Sequence, residues 1–318
     1  MPAPKITETE FVALWYKHGG AAPLSAAIGV GEREIHRRRK RIEDRLGIEL
    51  EQRTRPELES QTRRMSKLRR EIAIQDGVVL VGSDAHYTPG PATVAHRAFV
   101  KLAAQLKPAA VILAGDVLDL ASMSKHDASS WERQFSVKEE IESATDRMGE
   151  IFKAAPRAQR FLLWGNHDGG RFERFLVNNA PMMRGMPGMT FAEHFPEWSY
   201  HGSLMINGDT MVKHFWHTGI HGAYNNVIKS GVNMVTGHTH KLLTRPYTDY
   251  RGTRYGIECG CLADPEDEQF DYGMDSPKDH RSGFVVLTFR AGRLLPPESC
   301  EVVAGVGAVF RGAVVEAA

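Results

Sequence analysis

Cysteine is nearly missing. Three in 318 residues cannot build a disulfide framework, and so few thiols fit a reducing compartment, expected to be the cytoplasm. Long apolar runs are missing too. None reaches the roughly 20 residues of a membrane-spanning helix, and no basic stretch leads into an apolar core near the N-terminus. Secretion, anchoring and a membrane partner are therefore not expected. No internal repeat or low-complexity tract occurs, and neither sign of charge is in excess. With 40 Lys/Arg against 39 Asp/Glu, 25% charged and 42% hydrophobic residues, the composition is that of an ordinary soluble protein. The length suffices for one full catalytic domain and a small accessory one.

The neutral total hides an asymmetry. Residues 31–70 hold 14 Lys/Arg and 8 Asp/Glu, an excess of six positive charges; the first thirty balance at two of each sign, so the rest of the chain carries five more acidic than basic groups. A basic front piece on an acidic body suggests two modules with different partners. Residues 7–18 have helical spacing in Phe11, Leu14 and Trp15, with Thr7 or Thr9 as caps. A short helix over 24–28 and a longer one over 32–46 flank Gly29-Val30-Gly31, with Leu24, Ile28, Val30, Ile35 and Ile42 holding them together. This resembles a helix-turn-helix, in which Ser25 and Gly29 let the helices approach. The longer helix carries Arg33, Arg37, Arg38, Arg39, Lys40 and Arg41. Arg33, Arg37 and Arg38 are the candidates for phosphate contact with DNA in a major groove; the alternative is a packed pair with a solvated basic face. Residues 49–55 are polar and linking. Residues 56–74 read as a further helix, with Pro56 in its first turn and Leu58, Met65, Leu68 and Ile72 on its apolar side, so the domain boundary is expected near 74.

Beyond 77 strand and helix patterns alternate. Strands are expected over 77–83, 109–115 and 160–165, and helices over 91–106, 132–154 and 171–178. The second half is β-rich, with strands over 199–206, 210–214, 232–236, 241–248, 253–259 and 283–290, the last opening the closing strands of a second sheet. Four apolar runs, at 78–81, 111–114, 161–164 and 233–236, read as buried strands. Each is followed at once by a polar signature: Asp84-Ala85-His86, Gly115-Asp116-Val117-Leu118-Asp119, Gly165-Asn166-His167-Asp168 and Gly237-His238-Thr239-His240. His214, His217 and His221 lie between the third and fourth. Carboxylate, carboxamide and imidazole groups therefore meet at one sheet edge, where open α/β sheets place their ligands. Two divalent metals held close together need this donor set: a bridging carboxylate, hard oxygens and imidazoles.

Four intact signatures in this order make residues 77 to about 290 similar to the calcineurin-like metallophosphoesterase superfamily, and the added helix-turn-helix resembles phage or prophage chains. The resemblance implies an α/β fold, a four-layer α/β/β/α sandwich over 75–318, preceded by a small all-α domain over 1–50 and a helical linker over 51–74. It implies two divalent metal ions, Mn foremost, with Fe, Zn, Ni or Co also admitted. Asp84, His86 and His240 would hold the first metal, Asp116 both, and Asn166, His238 and one middle histidine the second. His214 is the choice, because Thr210-Met211-Val212-Lys213 can be the strand that delivers it. His217 and His221 remain alternatives, since the family's His-Gly pair occurs at His221-Gly222; a histidine that is not a ligand becomes a candidate substrate contact. His167 would face the leaving group as an acid, with Asp119 hydrogen-bonding it and raising its pKa. Asp168 is either part of the reacting signature or a structural carboxylate.

The reaction implied is phosphoester hydrolysis by a hydroxide held between the metals. Leu120 stands where Ser/Thr protein phosphatases carry arginine, which argues against a protein phosphatase. Arg171 is a candidate contact for a substrate phosphate, as is Arg174, against surface pairing with Glu173 or Glu150. His126 and Asp127, in the loop over 120–131, are further candidates. Cys259 and Cys261, two apart on a strand, read as buried structural thiols on one face. Trp15, Trp131, Trp164, Trp198 and Trp216 read as core or wall. The function expected is a phosphodiesterase acting on nucleic acid or nucleotide substrates, with DNA affinity supplied by the front domain. The alternatives are a small-molecule phosphoesterase whose front domain only assembles, and a DNA-binding or assembly protein with an incidental site.

Overall fold

The computed structural model describes residues 6–18, 20–48, 50, 68–124, 135–267, 270 and 278–318, and the chain divides into two compact units, Met1–Ser66 and Lys67–Ala318. His126, Asp127, Trp131 and residues 56–67 of the helix expected over 56–74 lie outside the described residues.

In the first unit, α1 (Glu8–His18), α2 (Ala21–Ile28) and α3 (Glu32–Leu46) surround Phe11, Trp15, Ala21, Leu24, Ile35, Ile42 and Leu50. Phe11 and Trp15 share a face at a spacing of four, and Ile35 and Ile42 at a spacing of seven, so each helix offers one apolar stripe to the others. Thr7 and Glu10 cap α1 reciprocally: the Thr7 amide donates to Glu10 Oε2 (2.7 Å) and the Glu10 amide to Thr7 Oγ1 (3.3 Å). Gly29, at φ 68°, closes α2 by donating its amide to the Ser25 carbonyl, a left-handed turn that suits glycine.

The second unit runs β1 (Arg69–Ile72), β2 (Gly77–Gly82), α4 (Val94–Leu106), β3 (Ala110–Leu113), α5 (Val137–Ala154), β4 (Gln159–Leu163) and α6 (Asp168–Asn179). It continues through β5 (Ser199–His201), β6 (Ser203–Ile206), β7 (Thr210–Lys213), α7 (Gly222–Ser230), β8 (Asn233–Thr236), β9 (Leu242–Asp249) and β10 (Gly252–Cys259). It ends with β11 (Gly283–Arg290), β12 (Arg293–Leu294), β13 (Glu298–Val303), β14 (Gly307–Phe310) and β15 (Ala313–Ala317). One sheet has the order β15-β14-β13-β11-β2-β3-β4-β5, with β12 beside β11; the other has β1-β6-β7-β8-β10-β9.

Strand alternation assigns the layers. Val79, Val81, Ile112 and Leu163 leave one face of the larger sheet to meet Leu204, Ile206, Val212, Val235 and Ile257 of the smaller one. Leu80, Val111, Leu113 and Leu162 leave the other face and pack on Phe99 and Leu102 of α4 and Met148 and Ile151 of α5. The smaller sheet is closed from outside by α7, which packs on β8, β9 and β10. Gly256 permits this approach, since a Cβ there would lie 2.0 Å from the Ala223 carbonyl oxygen. The architecture is the four-layer α/β/β/α sandwich.

Four details depart from expectation. Residues 69–72 are not helical: β1 pairs parallel with β6, Ile72 opposite Ile206, and Ile72 packs against the core between the sheets, so the second unit begins before residue 74. The span 199–206 is two strands in two different sheets, separated at Gly202, where the chain passes so near Leu68 that a Cβ would sit 2.9 Å from its side chain. The tail from 283 returns to the larger sheet, β11 pairing antiparallel with β2. Cys259 packs between the sheets while Cys261 joins Ala263 and Phe270, because Gly260, at φ 74°, breaks the alternation. No helix among the described residues is long and apolar enough to cross a membrane.

Ile112 is fully buried at the centre of the layer between the sheets. Ile112→Ala is expected to destabilise the fold by about 2–5 kcal/mol, read as a lower urea midpoint at unchanged slope.

Candidate metal centre

The ends of β2 and β3 remain paired past the last regular residue, so the polar signatures enter the site as a ladder. Amides of Asp84, His86 and Tyr87 donate to the carbonyls of Gly115 (3.0 Å), Asp116 (3.1 Å) and Val117 (2.8 Å). Reaching one another from these ends requires unusual backbone. Asp84, His86, Asp116, His238 and His240 all have φ between 42° and 70°, left-handed values that Asp and His adopt more readily than most residues. The glycines answer a second need, close approach. A Cβ on Gly165 would lie 2.2 Å from Asp116 Oδ1, and one on Gly237 2.6 Å from Asp84 Oδ2.

Among the described residues three groups bring one ligand atom each within 4.8 Å of one another: Asp84, His86 and His240 form the first cluster, Asp116, His214 and His238 the second, and His86, Asp119 and His167 a third that overlaps the first. Asp84 is fully buried; its Oδ2 accepts the His238 amide (2.8 Å), while its Oδ1, 3.4 Å from His240 Nε2, has no hydrogen-bond partner. His86 Nε2 is likewise buried without a partner. In the second cluster the Ala114 carbonyl accepts His214 Nδ1–H (2.8 Å), which turns Nε2 toward two oxygens, Asp116 Oδ2 and Asn166 Oδ1, each 3.0 Å away. A nitrogen lone pair facing two acceptors needs a positive charge between them, a proton or a metal ion. Unpaired buried acceptors, imidazoles oriented from behind and a shared carboxylate fit divalent cations. The same field shows in the proton equilibria. Burial lowers His214 but the Asp116 and Asp84 charges dominate and hold it at about 9, whereas burial raises Asp116 but His214 and His167 bring it to about 2.

Asp119 serves two histidines. Its Oδ1 lies 3.2 Å from His86 Nδ1 and 3.0 Å from His167 Nδ1, so one carboxylate orients a ring of the first cluster and the expected acid together. His167 also fixes Asp116, its amide donating to Oδ1 (2.9 Å). Burial opposes protonation of His167, but the Asp119 hydrogen bond and the Asp116 charge outweigh it and raise its pKa. Arg171 is tied down rather than free: Nη1 donates to the Asp119 carbonyl (2.7 Å), and Nη2 approaches His167 Nε2 (3.2 Å).

Asp168 and Glu140 brace the turn after β3. Asp168 accepts the Val117 (3.1 Å) and Leu118 (2.9 Å) amides, and Glu140 of α5 accepts those of Asp119 (3.0 Å) and Leu120 (2.7 Å). The sequence singles out only Asp168. The signal for Glu140 was available: it shares the buried face of α5 with Ala144, Met148 and Ile151, so a carboxylate stands at an apolar position. Phe270 and His280 were also missed; their rings sit 5.3 and 4.6 Å from the His240 ring. They follow no strand-end signature, and sequence pattern carries nothing that marks them.

Other candidates lie outside the two clusters. His217, on the loop before α7, donates its amide to Asn226 Oδ1 within that helix (2.9 Å), and His221 is the exposed residue preceding the helix. On α3, Arg33 and Arg37 are exposed, with Arg37 paired to Glu34, whereas Arg38 turns inward, over the Phe11 ring (5.2 Å) and onto the Ile6 carbonyl. Arg39 packs over Trp15 (5.1 Å) and pairs with Glu43 (2.8 Å), leaving Lys40 and Arg41 on the exposed face.

No protein-family model matches the chain, and no curated protein sequence matches it. Among solved structures it resembles a Vps29 point mutant from Entamoeba histolytica, at 16% identity and TM-score 0.38, covering 73% of this chain and 98% of that one. An archaeal phosphodiesterase matches at 15% identity and TM-score 0.35, covering 70% and 99%. YfcE, a phosphoesterase from E. coli, matches at 13% identity and TM-score 0.34, covering 69% and 97%.

Burial, the largest influence, and the nearby Asp119 charge push Glu140 up from 4.5 to about 7. A carboxylate raised in the folded state binds its proton more tightly there than in the unfolded chain. The contribution of Glu140 to stability is therefore highest below pH 4.5, falls as pH rises toward 7 and levels off above it. Glu140→Gln keeps an acceptor for both amides without the buried charge. The variant is expected to gain on the wild type by about 2–3 kcal/mol between pH 4.5 and 8, read from urea midpoints at the two pH values.

Proposed function

We propose that this chain is a dimetal-dependent phosphodiesterase acting on nucleic acid or nucleotide substrates, with Mn as the first metal to test. The observation behind this reading is the meeting, at 3.0 Å each, of His214 Nε2 with Asp116 Oδ2 and Asn166 Oδ1 beside the unpaired Asp84 Oδ1 and His86 Nε2. Asp84, His86 and His240 would hold one ion, Asn166, His214 and His238 the other, and Asp116 would stand between them. When bound, the two ions supply Lewis acidity and lower the pKa of an attacking water. The protein's own work is positional. Asp119 holds His86 and His167 by their Nδ1 atoms, and His167 Nε2, which accepts from Arg171 Nη2 (3.2 Å) in this structure, would give a proton to the leaving oxygen once it is protonated and Arg171 has yielded that position.

His167→Ala is expected to lower Mn-dependent turnover of bis(p-nitrophenyl) phosphate by about 10²–10⁴-fold while calorimetry finds Mn binding intact. Asp84→Ala is expected to lose both. Wild-type turnover in either variant would reject the proposal.

We further propose that α3 gives the first unit affinity for DNA. Exposed Arg33, Arg37, Lys40 and Arg41 fall at spacings of four, three and one and share one helix face, which suits a phosphate backbone. Because Arg38 already packs on Phe11, its contribution is to the unit's stability. Arg33→Ala/Arg37→Ala should reduce the slope of log affinity against log salt by about two. An unchanged slope in a DNA-binding titration would remove these two residues from the interface.

A further inference from the structure

Beside the metal centre a cleft of about 590 Å³ opens along α6, lined by Trp164, Asn166, Gly169, Gly170, Arg171 and Arg174, among others. Asn166, whose Oδ1 faces His214, is one of its lining residues, so a molecule in the cleft adjoins that cluster. Trp164 forms its apolar wall, lying against the first turn of α6. A Cβ would meet the indole at 3.0 Å from Gly169 and 2.9 Å from Gly170, so these two glycines keep the wall in place.

The two arginines of the cleft are not equivalent. Arg171 is committed to the Asp119 and Leu120 carbonyls and to His167. Arg174 is exposed and, among the described residues, has no ion pair or hydrogen bond. The carboxylates that would pair with it on a helix surface are occupied elsewhere. Glu173 Oε1 accepts the Phe191 amide (3.1 Å), and Glu150 holds His96 (2.9 Å) and Arg147 (2.7 Å). With a rise of about 1.5 Å per residue, Arg174 stands roughly 9 Å along α6 from Asp168, on the scale of one nucleotide unit away from the reacting end. An unpaired guanidinium at that place is complementary to a second anion on the substrate, and its planar fork matches phosphate.

We propose that Arg174 binds a second phosphate, one nucleotide away from the scissile diester, so that the substrates preferred by this site are phosphodiesters carrying a further phosphate on the unit that occupies the cleft. The inference rests on the phosphodiesterase reading for its naming of the scissile group. It identifies Arg174 as a specificity residue, with Trp164 as the wall against which the intervening sugar and base lie.

Two dinucleotides differ only in the group at issue: TpT, with its single diester, and pTpT, with an added terminal phosphate. Their affinities are measured by calorimetry with Mn on the full chain carrying His167→Ala, which holds turnover down, with and without Arg174→Ala or Arg174→Lys. With Arg174 present, pTpT should bind about tenfold more tightly than TpT, the size expected of a solvent-exposed charged hydrogen bond. The preference should vanish with Arg174→Ala, survive in part with Arg174→Lys, and shrink as salt is raised. Equal binding of the two dinucleotides, or a preference that persists in Arg174→Ala, would overturn the proposal. Turnover is read separately in the chain with His167 intact. A preference that depends on Arg174, without hydrolysis of either dinucleotide or of bis(p-nitrophenyl) phosphate, supports the phosphate subsite and rejects the phosphodiesterase reading. Hydrolysis with no such preference does the reverse.

Discussion

Four consecutive backbone amides beyond the end of β3, Val117 to Leu120, have no sheet partner of their own, and two buried carboxylates accept them, Asp168 from α6 and Glu140 from α5. Orphaned amides in a dry interior cost about 1–3 kcal/mol each, so the turn exists only while both helices present those oxygens. Everything at the centre hangs from that turn. Asp116 precedes it, Asp119 lies within it, and Leu120, at φ 55°, ends it in a conformation that a β-strand or helix would not supply. The turn therefore sets where one carboxylate faces His214 and where another catches two imidazoles. The cost is visible: Asp168 and Glu140 are both pushed up to about 7, chiefly by burial.

Strain is distributed in the same way. Five of the residues facing the two clusters hold left-handed backbone, at about 1–3 kcal/mol each. Such conformations last only when the surroundings over-determine them. The two sheets do that, through a seam of fully buried aliphatic side chains such as Val79, Val81, Ile112, Leu163 and Val235, whose strands end at the signatures. A stiff apolar interior behind the site is thus the condition for its irregular front.

How much of this could be read from the sequence follows from the range of each interaction. Strands announced by β-branched runs and signatures at their ends depend on neighbours in the chain, and they fall where expected: β11 occupies 283–290 and α3 occupies 32–46. What escaped depends on distant partners. β1 is Arg-Arg-Glu-Ile, whose strand state comes from Ile72 reaching the core and pairing opposite Ile206, 134 residues on. The break at Gly202 follows from the nearness of Leu68 in space, and no local signal separates β5 from β6. For the middle histidines, His214, His217 and His221 are equivalent as letters; only the Ala114 carbonyl behind His214 shows which ring is aimed at Asp116. Arg38 reads as one more exposed cation until Phe11 is found beneath it.

Asp119 joins what a list of roles would keep apart. One carboxylate oxygen accepts from Nδ1 of both His86 and His167, and those rings meet edge to face with centroids 4.9 Å apart. The orientation of a ring that would hold metal and the charge state of a ring that would give a proton therefore share one determinant. If His167 is protonated, its added charge draws Asp119 toward it and weakens the hold on His86; if a cation draws on His86 Nε2, its Nδ1–H becomes a stronger donor and competes for the same oxygen. Arg171 closes the arrangement from the far side, bonded to the Asp119 carbonyl and touching His167 Nε2, so the ring cannot swing away without losing its contacts to both Asp119 and Arg171. A proton on His167 and a cation on His86 would in this way be coupled through a single oxygen, and the electrostatics of the centre belong to the group rather than to any one of its members.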